Sequence, residues 1–286
     1  MSTAASRSKS TSRSIANSTA GSTAKSTVRS TTQPAPGKAP AKAFGWFGTA
    51  PPALQNLLLA ALPGNVMKRL TPHMQTVELK LGTIVHRPDE AIEDVYFPIS
   101  CLISVTIKME RGRIAEAGIV GRREMVGVNA FMGGRETNHT EYICQAAGIA
   151  IRMSAEPLLT AFDRDKKVRD VMLRYTQAYI AQLSQNVACN QLHRVEQRLA
   201  RWMLECRDRL GSDDLTLTQE FIGEMLGVRR AGVSAAAAGF QKRGIIYYRR
   251  GKVRVLDSRR LEEASCGCFR AIHDEYERLL PQGNAQ

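Results

Sequence analysis

Residues 219–238, QEFIGEMLGVRRAGVSAAAA, leave the chain few folding options. Gly223 and Gly227 punctuate the stretch, and Ile222, Leu226, Val228 and Val233 supply apolar positions through which two short helices can pack. The pattern predicts a first helix that ends at Gly227, because glycine takes the positive φ that stops a helix in one residue. It places Gly223 where that helix approaches the next one closely. Thr218 stands as its N-cap, with Glu220 in the first turn to complement the helix dipole. Arg229 and Arg230 open the second helix. Taken alone, the pattern fits a helical hairpin in a core as well as a helix-turn-helix that offers its second helix to DNA.

The residues that follow separate the two readings. Gly244 precedes a strand-like run at 245–249 (IIYYR), Arg250 and Gly251 make a turn, and 252–256 alternates again. This reads as a β-hairpin with a basic tip. Alternation puts Val253 and Val255 on one face, so Arg250, Lys252 and Arg254 are free to face phosphates. A hairpin carrying Arg249, Arg250, Lys252 and Arg254 is the wing of a winged helix. Arg229 and Arg230, at the start of the second helix, can reach base edges, and free backbone N–H groups there can reach phosphate. The run Ala235 to Ala238 offers no hydrogen bond, so base reading rests on Arg229, Arg230 and Ser234. Thr218, Gln219, Arg249, Arg250 and Lys252 then clamp the backbone.

Upstream, the period of the sequence changes twice. From residue 75 to about 154 it is two: Val77, Leu79 and Leu81 alternate, then Val95 and Phe97, then Ile103, Val105 and Ile107. Arg111 and Gly112 predict a turn. Many short strands separated by turn residues indicate an antiparallel barrel or sandwich. From about Glu156 the pattern is helical. Val168, Met172, Tyr175, Tyr179, Gln182, Asn186 and Cys189 follow steps of four and three. That is a heptad-like stripe, polar in its second half, and it predicts a seam between two copies of the chain. The alternative is a long helix lying on its own barrel, with Val171, Ala178 and Leu183 facing inward. A further helix over 193–210 has Val195, Leu199, Trp202, Met203 and Cys206 on one face. A last amphipathic helix after Asp257 carries Ile272, Tyr276, Leu279 and Leu280.

Charge narrows the partners. The chain of 286 residues has a net charge of +13, which suits a polyanion. Residues 1–43 carry seven Lys or Arg and no acid, in a background of Ser, Thr, Ala and Pro. Such a segment buries too little to offset its ordering entropy and is read as a disordered basic tail. The composition also fits an organelle transit peptide. No apolar run is long enough to span a bilayer, so no membrane partner is expected. Six cysteines are too few for a disulfide scaffold and fit a reducing cytoplasm. Cys266 and Cys268 could be a redox pair or half a metal site. No second pair stands at metal-ligand spacing, so no metal and no cofactor is expected. Catalytic residues are not expected either: there is no carboxylate pair, nucleophile elbow or Gly-rich phosphate loop.

The order of parts resembles that of the Crp/Fnr family of bacterial transcription regulators. Within the strand region, residues 93–98 (EDVYFP) and 121–127 (GRREMVG) are similar to the strands and turns of the family's sensor domain. The resemblance covers about residues 52–280, leaving out the tail at 1–43, and implies an α+β chain with a cupin-like, cyclic-nucleotide-binding-domain-like β-roll at 52–160, a long dimerisation helix at 161–192 and a winged helix-turn-helix at 193–280. It implies a homodimer that binds double-stranded DNA and meets RNA polymerase. Cyclic-nucleotide binders of this fold hold the ribose with the Glu of a Gly-Glu pair and the cyclic phosphate with the Arg of an Arg-Ser pair. Here Val128 follows Gly127, and Asn138 and His139 stand where the second pair falls, with Arg135 nearby. A phosphate buried without its cation is strongly disfavoured, so the chain is expected not to depend on a cyclic nucleotide. Arg230 matches a base-contacting arginine of the family, whereas Ala231 and Ala235 replace its neighbouring Glu and later Arg. Two rival readings stay open: a ligand- or redox-sensing protein using the roll or the cysteines, and an enzyme using Cys266 or Cys268.

Overall fold

The computed structural model describes residues 51–110, 114–134 and 139–280. The tail at 1–43, the turn at Arg111 and Gly112, Arg135 and Asn138 lie outside the described residues. Two short helices, α1 (Leu57–Ala60) and α2 (Gly64–Leu70), lead in. Asn56 is fully buried and caps α1 by accepting from the Leu58 and Leu59 amides at 3.1 and 3.0 Å. Its amide donates to the carbonyls of Pro98 and Glu124, both at 2.9 Å, which fastens the entry helices to the strands behind them.

Seven strands follow: β1 (Met74–Leu79), β2 (Ile84–His86), β3 (Asp94–Pro98), β4 (Leu102–Lys108), β5 (Ile114–Val120), β6 (Thr140–Ala146) and β7 (Gly148–Ser154). They form two antiparallel sheets with strand orders β1-β7-β3 and β2-β6-β4-β5. The period-two alternation puts Val95, Phe97, Ile103 and Val105 in the interior. Helix α3 (Ala155–Arg164) closes one end, and helix α4 (Lys166–Leu192) then runs 27 residues, about 40 Å at 1.5 Å per residue. The long helix therefore starts later than the expected 161. Asp165, in an extended conformation, separates the two helices and caps α4 through Lys167 and Val168.

The stripe expected to join two chains lies inside one. Val168, Met172, Tyr175 and Gln182 are fully buried, and Tyr179 and Asn186 nearly so, all within this chain's own fold. Its polar members have a local task. β5 is the edge of its sheet, and an edge strand has unpaired backbone groups. Gln182 donates to the Ile119 carbonyl at 3.1 Å, and Asn186 to the Ala117 carbonyl at 3.0 Å. Tyr175 closes the same seam by donating to the Met125 carbonyl at 2.9 Å. The opposite face of α4 exposes Leu173, Ile180 and Val187, at 50%, 54% and 60% of their surface.

The rest of the chain is α5 (Val195–Leu210), β8 (Asp214–Thr216), α6 (Gln219–Leu226), α7 (Arg230–Lys242), β9 (Ile246–Arg249), β10 (Lys252–Val255), α8 (Ser258–Ala264) and α9 (Cys268–Leu279). The last expected helix is thus two helices, broken at residues 265–267. A second core gathers Leu199, Trp202, Met203, Ile222, Leu226, Val233, Phe240 and Val253 with Leu102 and Ile119 of the strands. The terminal helix α9 leaves that core. Its Ile272, Tyr276 and Leu279 pack with α4 in the first core instead.

Candidate nucleic-acid interface

α6 begins where Thr218 predicts, its side chain accepting from the Phe221 amide at 3.2 Å. Gly227 ends it at φ +62°. A Cβ on Gly223 would stand 2.9 Å from the Val228 carbonyl oxygen, so the approach of the next segment requires glycine. Arg229 is the N-cap of α7 without a side-chain cap bond, so the first amides of that helix keep open donors. Val233, Ala237 and Phe240 face the core, while Arg230, Ala231, Ala235, Ala238 and Gln241 face solvent.

β9 and β10 form the wing, with β8 on the far side of β10. Arg250 and Gly251 make the two-residue turn at φ +50° and +75°, the doubly positive signature of a type I′ hairpin. Tyr248 holds the wing in place: its hydroxyl donates to the Leu217 carbonyl, and its amide donates to Gln241 Oε1, both at 2.8 Å. The Leu217 amide donates to the Gly251 carbonyl at 2.7 Å. Half-burial raises the Tyr248 phenol above its ordinary range, so it stays a donor.

An open groove of about 620 Å³ runs between α7 and the wing, and Thr218, Gln219, Arg230, Ser234 and Arg250 all line it. Ser234 donates to Gln219 Oε1, which joins the two helices across the groove. Arg229, Arg249 and Lys252 flank it on exposed positions. One acid, Glu220, also borders the groove, at the positive end of α6. Elsewhere in this half of the chain, three exposed arginines are paired with acids: Arg254 with Asp214, Arg243 with Glu196, and Arg207 with Asp213. Arg254 therefore faces β8 and is not free for a ligand as its sequence position suggests. Arg229, Arg230, Arg249, Arg250 and Lys252 make no ion pair among the described residues. Arg249 and Lys252 are directly opposed across the hairpin. Like charges so placed repel each other, and an anion between them removes the cost.

The junction between this head and the strands was not legible in the sequence. The turn at residues 121–124 closes on the end of α5. The Arg209 guanidinium, 2% exposed, lies 3.1 Å from Glu124 Oε1, donates to Gln182 Oε1 at 3.1 Å and sits over the Tyr276 ring. Arg123 bridges Asp208 at 2.8 Å and Glu277 at 2.5 Å. A Cβ on Gly121 would fall 2.4 Å from that of Arg209, so only glycine lets the turn come this close. Two turns earlier on α5, Arg201 donates to Asn186 Oδ1 and to Glu205, both at 2.6 Å. Between the sheet and α5, Glu116 accepts from Ser104 Oγ and from the Trp202 indole at 2.7 Å. Burial of that carboxyl pushes its pKa up to about 7.

In the strand domain, Gly127 takes φ +100° and Val128 is buried. Ile92, Val95 and His86 lie against Gly127, so the described wall at this turn is apolar apart from one imidazole. Burial lowers the pKa of His86 and favours its neutral form. The cysteines are brought together differently from the sequence expectation. Cys189 and His193, at the end of α4, meet Cys266 and Cys268, and the four ligand atoms lie within 4.8 Å of one another. The two halves are far apart in sequence, so no local spacing pairs them. All six cysteines are free thiols, and no described helix is long and apolar enough to cross a membrane.

Comparison with known proteins agrees with this architecture. Residues 197–264 match the Crp-like helix-turn-helix domain. The CRP-like cAMP-activated global transcriptional regulator of Mycobacterium tuberculosis is 26% identical over 200 residues, covering 67% of this chain and 88% of that protein. FixK2 of Bradyrhizobium japonicum shares the fold with a TM-score of 0.58 at 16% identity, covering 68% of this chain and 98% of that one. A CRP-family transcriptional regulator from Thermus thermophilus does so with 0.55 at 18%, covering 66% and 96%. The matched helix-turn-helix residues end with α8, so α9 lies beyond them.

Proposed function

We propose that this chain, a DNA-binding transcription regulator of the Crp/Fnr type, works in the cytoplasm as a homodimer whose DNA affinity does not depend on a cyclic nucleotide. The observation that carries the DNA contact is the set of five cations without an ion pair around the α7–wing groove, in a head where Arg207, Arg243 and Arg254 are matched by acids. Arg229, Arg230 and Ser234 enter the major groove with the N-terminus of α7. Thr218, Gln219, Arg249, Arg250 and Lys252 hold phosphates on either side. With Ala231 and Ala235 on the exposed face, few side chains can read bases, and DNA shape contributes the remaining selectivity.

The dimer forms through the exposed face of α4. Leu173, Ile180 and Val187 recur every seven residues, with Gln177, Ser184 and Gln191 exposed between them in steps of four and three. A parallel pair of such helices sets two copies of α7 roughly 34 Å apart, one turn of DNA. Replacing Ile180 with Asp leaves the barrel-facing side of α4 intact. It is expected to give monomers in sedimentation and to lose affinity for paired half-sites. Retention of the dimer would disprove this seam.

The named relative is cAMP-activated, but here a buried Val128 follows Gly127 where a carboxylate would hold a ribose, and Asn138 and His139 stand in the sequence where a cation would hold a phosphate. Binding to DNA sites selected from a random pool tests the reading as a whole. Arg229→Ala and Arg230→Ala are each expected to weaken specific binding by about 1–3 kcal/mol, five- to 150-fold. Cyclic AMP and cyclic GMP are expected to change neither that affinity nor the melting temperature. Unchanged specific binding in the double variant would overturn the DNA contact, and a saturable nucleotide effect would overturn the independence.

A further inference from the structure

From the cluster of Cys189, His193, Cys266 and Cys268 we infer a tetrahedral binding site for one thiophilic divalent metal ion, with zinc as the best-fitting ion, that fastens the end of the long helix to the C-terminal helices. Cys189 occupies the last turn of α4, and His193 follows one turn on as the residue that ends the helix. Both donors therefore project from one side of that terminus. Cys266 lies in the break between α8 and α9, and Cys268 opens α9, where the chain turns back toward α4. The three cysteines are buried and form a small cluster apart from the two main cores.

The distances fit one ion. Cys189 Sγ lies 3.5 Å from Cys266 Sγ, and Cys268 Sγ lies 3.6 Å from His193 Nδ1. A tetrahedral zinc with bonds of about 2.3 Å to sulfur and about 2.0–2.1 Å to nitrogen places its ligands about 3.5–3.8 Å apart. All four donors lie within 4.8 Å of one another, so a small closure brings each pair to that spacing. Three thiolates and one imidazole make a closed structural set of the soft type that selects zinc. A disulfide between Cys189 and Cys266 would need a sulfur–sulfur distance of about 2.0 Å. It would also leave Cys268 and His193 without a purpose.

Supporting groups are in place. The Gln185 amide Nε2 donates to Cys268 Sγ at 3.1 Å, which orients a thiolate as outer hydrogen bonds do at metal sites. Arg201, held by Asn186 and Glu205, lies close enough for its charge to act on Cys189. The location gives the ion a mechanical role. Only His193 and Arg194 separate α4 from α5, which carries the chain into the DNA-binding half, and α9 packs back on α4. The ion would tie the hinge between the two halves to the C-terminal segment that lies beyond the matched helix-turn-helix residues.

Metal analysis of the full chain, purified under reducing conditions, tests the site. The wild type is expected to contain about one zinc per chain. The double substitution Cys266→Ser with Cys268→Ser should lower this at least tenfold. Cys101→Ser, in the barrel core, should leave it unchanged. Because the double variant could misfold, the metal-free wild type is also titrated with cobalt(II). A thiolate-to-cobalt charge-transfer band with the intense visible bands of a tetrahedral complex, both displaced by zinc, is the expected spectrum. Absence of bound metal together with absence of that spectrum would overturn the site. So would full metal retention in the double variant, or an isolated protein with a Cys189–Cys266 disulfide and no metal.

Discussion

Two groups of arginines in this molecule meet opposite environments. Arg123, Arg201 and Arg209, at the junction between the halves, are enclosed and matched to Asp208, Glu205, Glu124 and Glu277. Arg229, Arg230, Arg249 and Arg250, on the head, are exposed and face no acid in an ion pair. A buried charge needs its counter-charge inside the fold, because removal from water costs several kcal/mol per ion. An exposed charge needs none, so its partner can come from outside. The junction set therefore holds the orientation of the head, and the groove set supplies its attraction for a polyanion.

Three sets of substitutions test that contrast, the largest effect first. Arg209→Met leaves Glu124 buried and uncompensated. It should cost about 3–5 kcal/mol and lower the melting temperature by about 6–20 °C. Adding Glu124→Gln should recover part of the loss, as expected of coupled neighbours. If Arg209→Met melts like the wild type, the junction is not held by this pair. On the head, Arg250→Ala with Lys252→Ala should change stability by no more than about 0.5 kcal/mol. The slope of log affinity against log salt should shrink by about 2. An unchanged slope would place the wing away from DNA.

The smallest effect belongs to Glu116, between Ser104 and Trp202. Its folded pKa of about 7 lies above the ordinary 4.5. Between these values the folded state holds the proton more tightly than the unfolded one, so stability from this group falls as pH rises through that window. Glu116→Gln keeps an acceptor for the indole and removes the titration. Melting temperatures measured from pH 4.5 to 8 should decline less in the variant than in the wild type, and parallel declines would refute the assignment.

Local patterns carried much of this architecture. The turn at Gly227, the cap at Thr218, the wing with its tip at Arg250 and Gly251, and the strand periodicity over 75–154 each depend on residues a few positions apart. The groove residues were legible for the same reason, since α6, α7 and the wing are contiguous in sequence. Helix α4 shows where this stops. It carries two stripes with heptad-like steps, one through Val168, Met172, Tyr175, Tyr179, Gln182 and Asn186, the other through Leu173, Ile180 and Val187. The first is richer in aromatic and polar groups and looks more like a specified seam. Periodicity gives the faces of a helix but does not say which neighbour each face meets.

The sequence by itself determined the elements, their order and the charge offered by the head, because backbone conformation and amphipathic period are short-range properties. Only the tertiary structure decided which face of α4 the barrel takes, because the carbonyls of Ala117 and Ile119 on an edge strand needed Asn186 and Gln182. It also decided that Arg209 and Glu124 are partners, 85 positions apart, and that Cys189 and His193 meet Cys266 and Cys268. Burial turns such distant contacts into strong constraints, since an unmatched polar group is costly only once water is excluded.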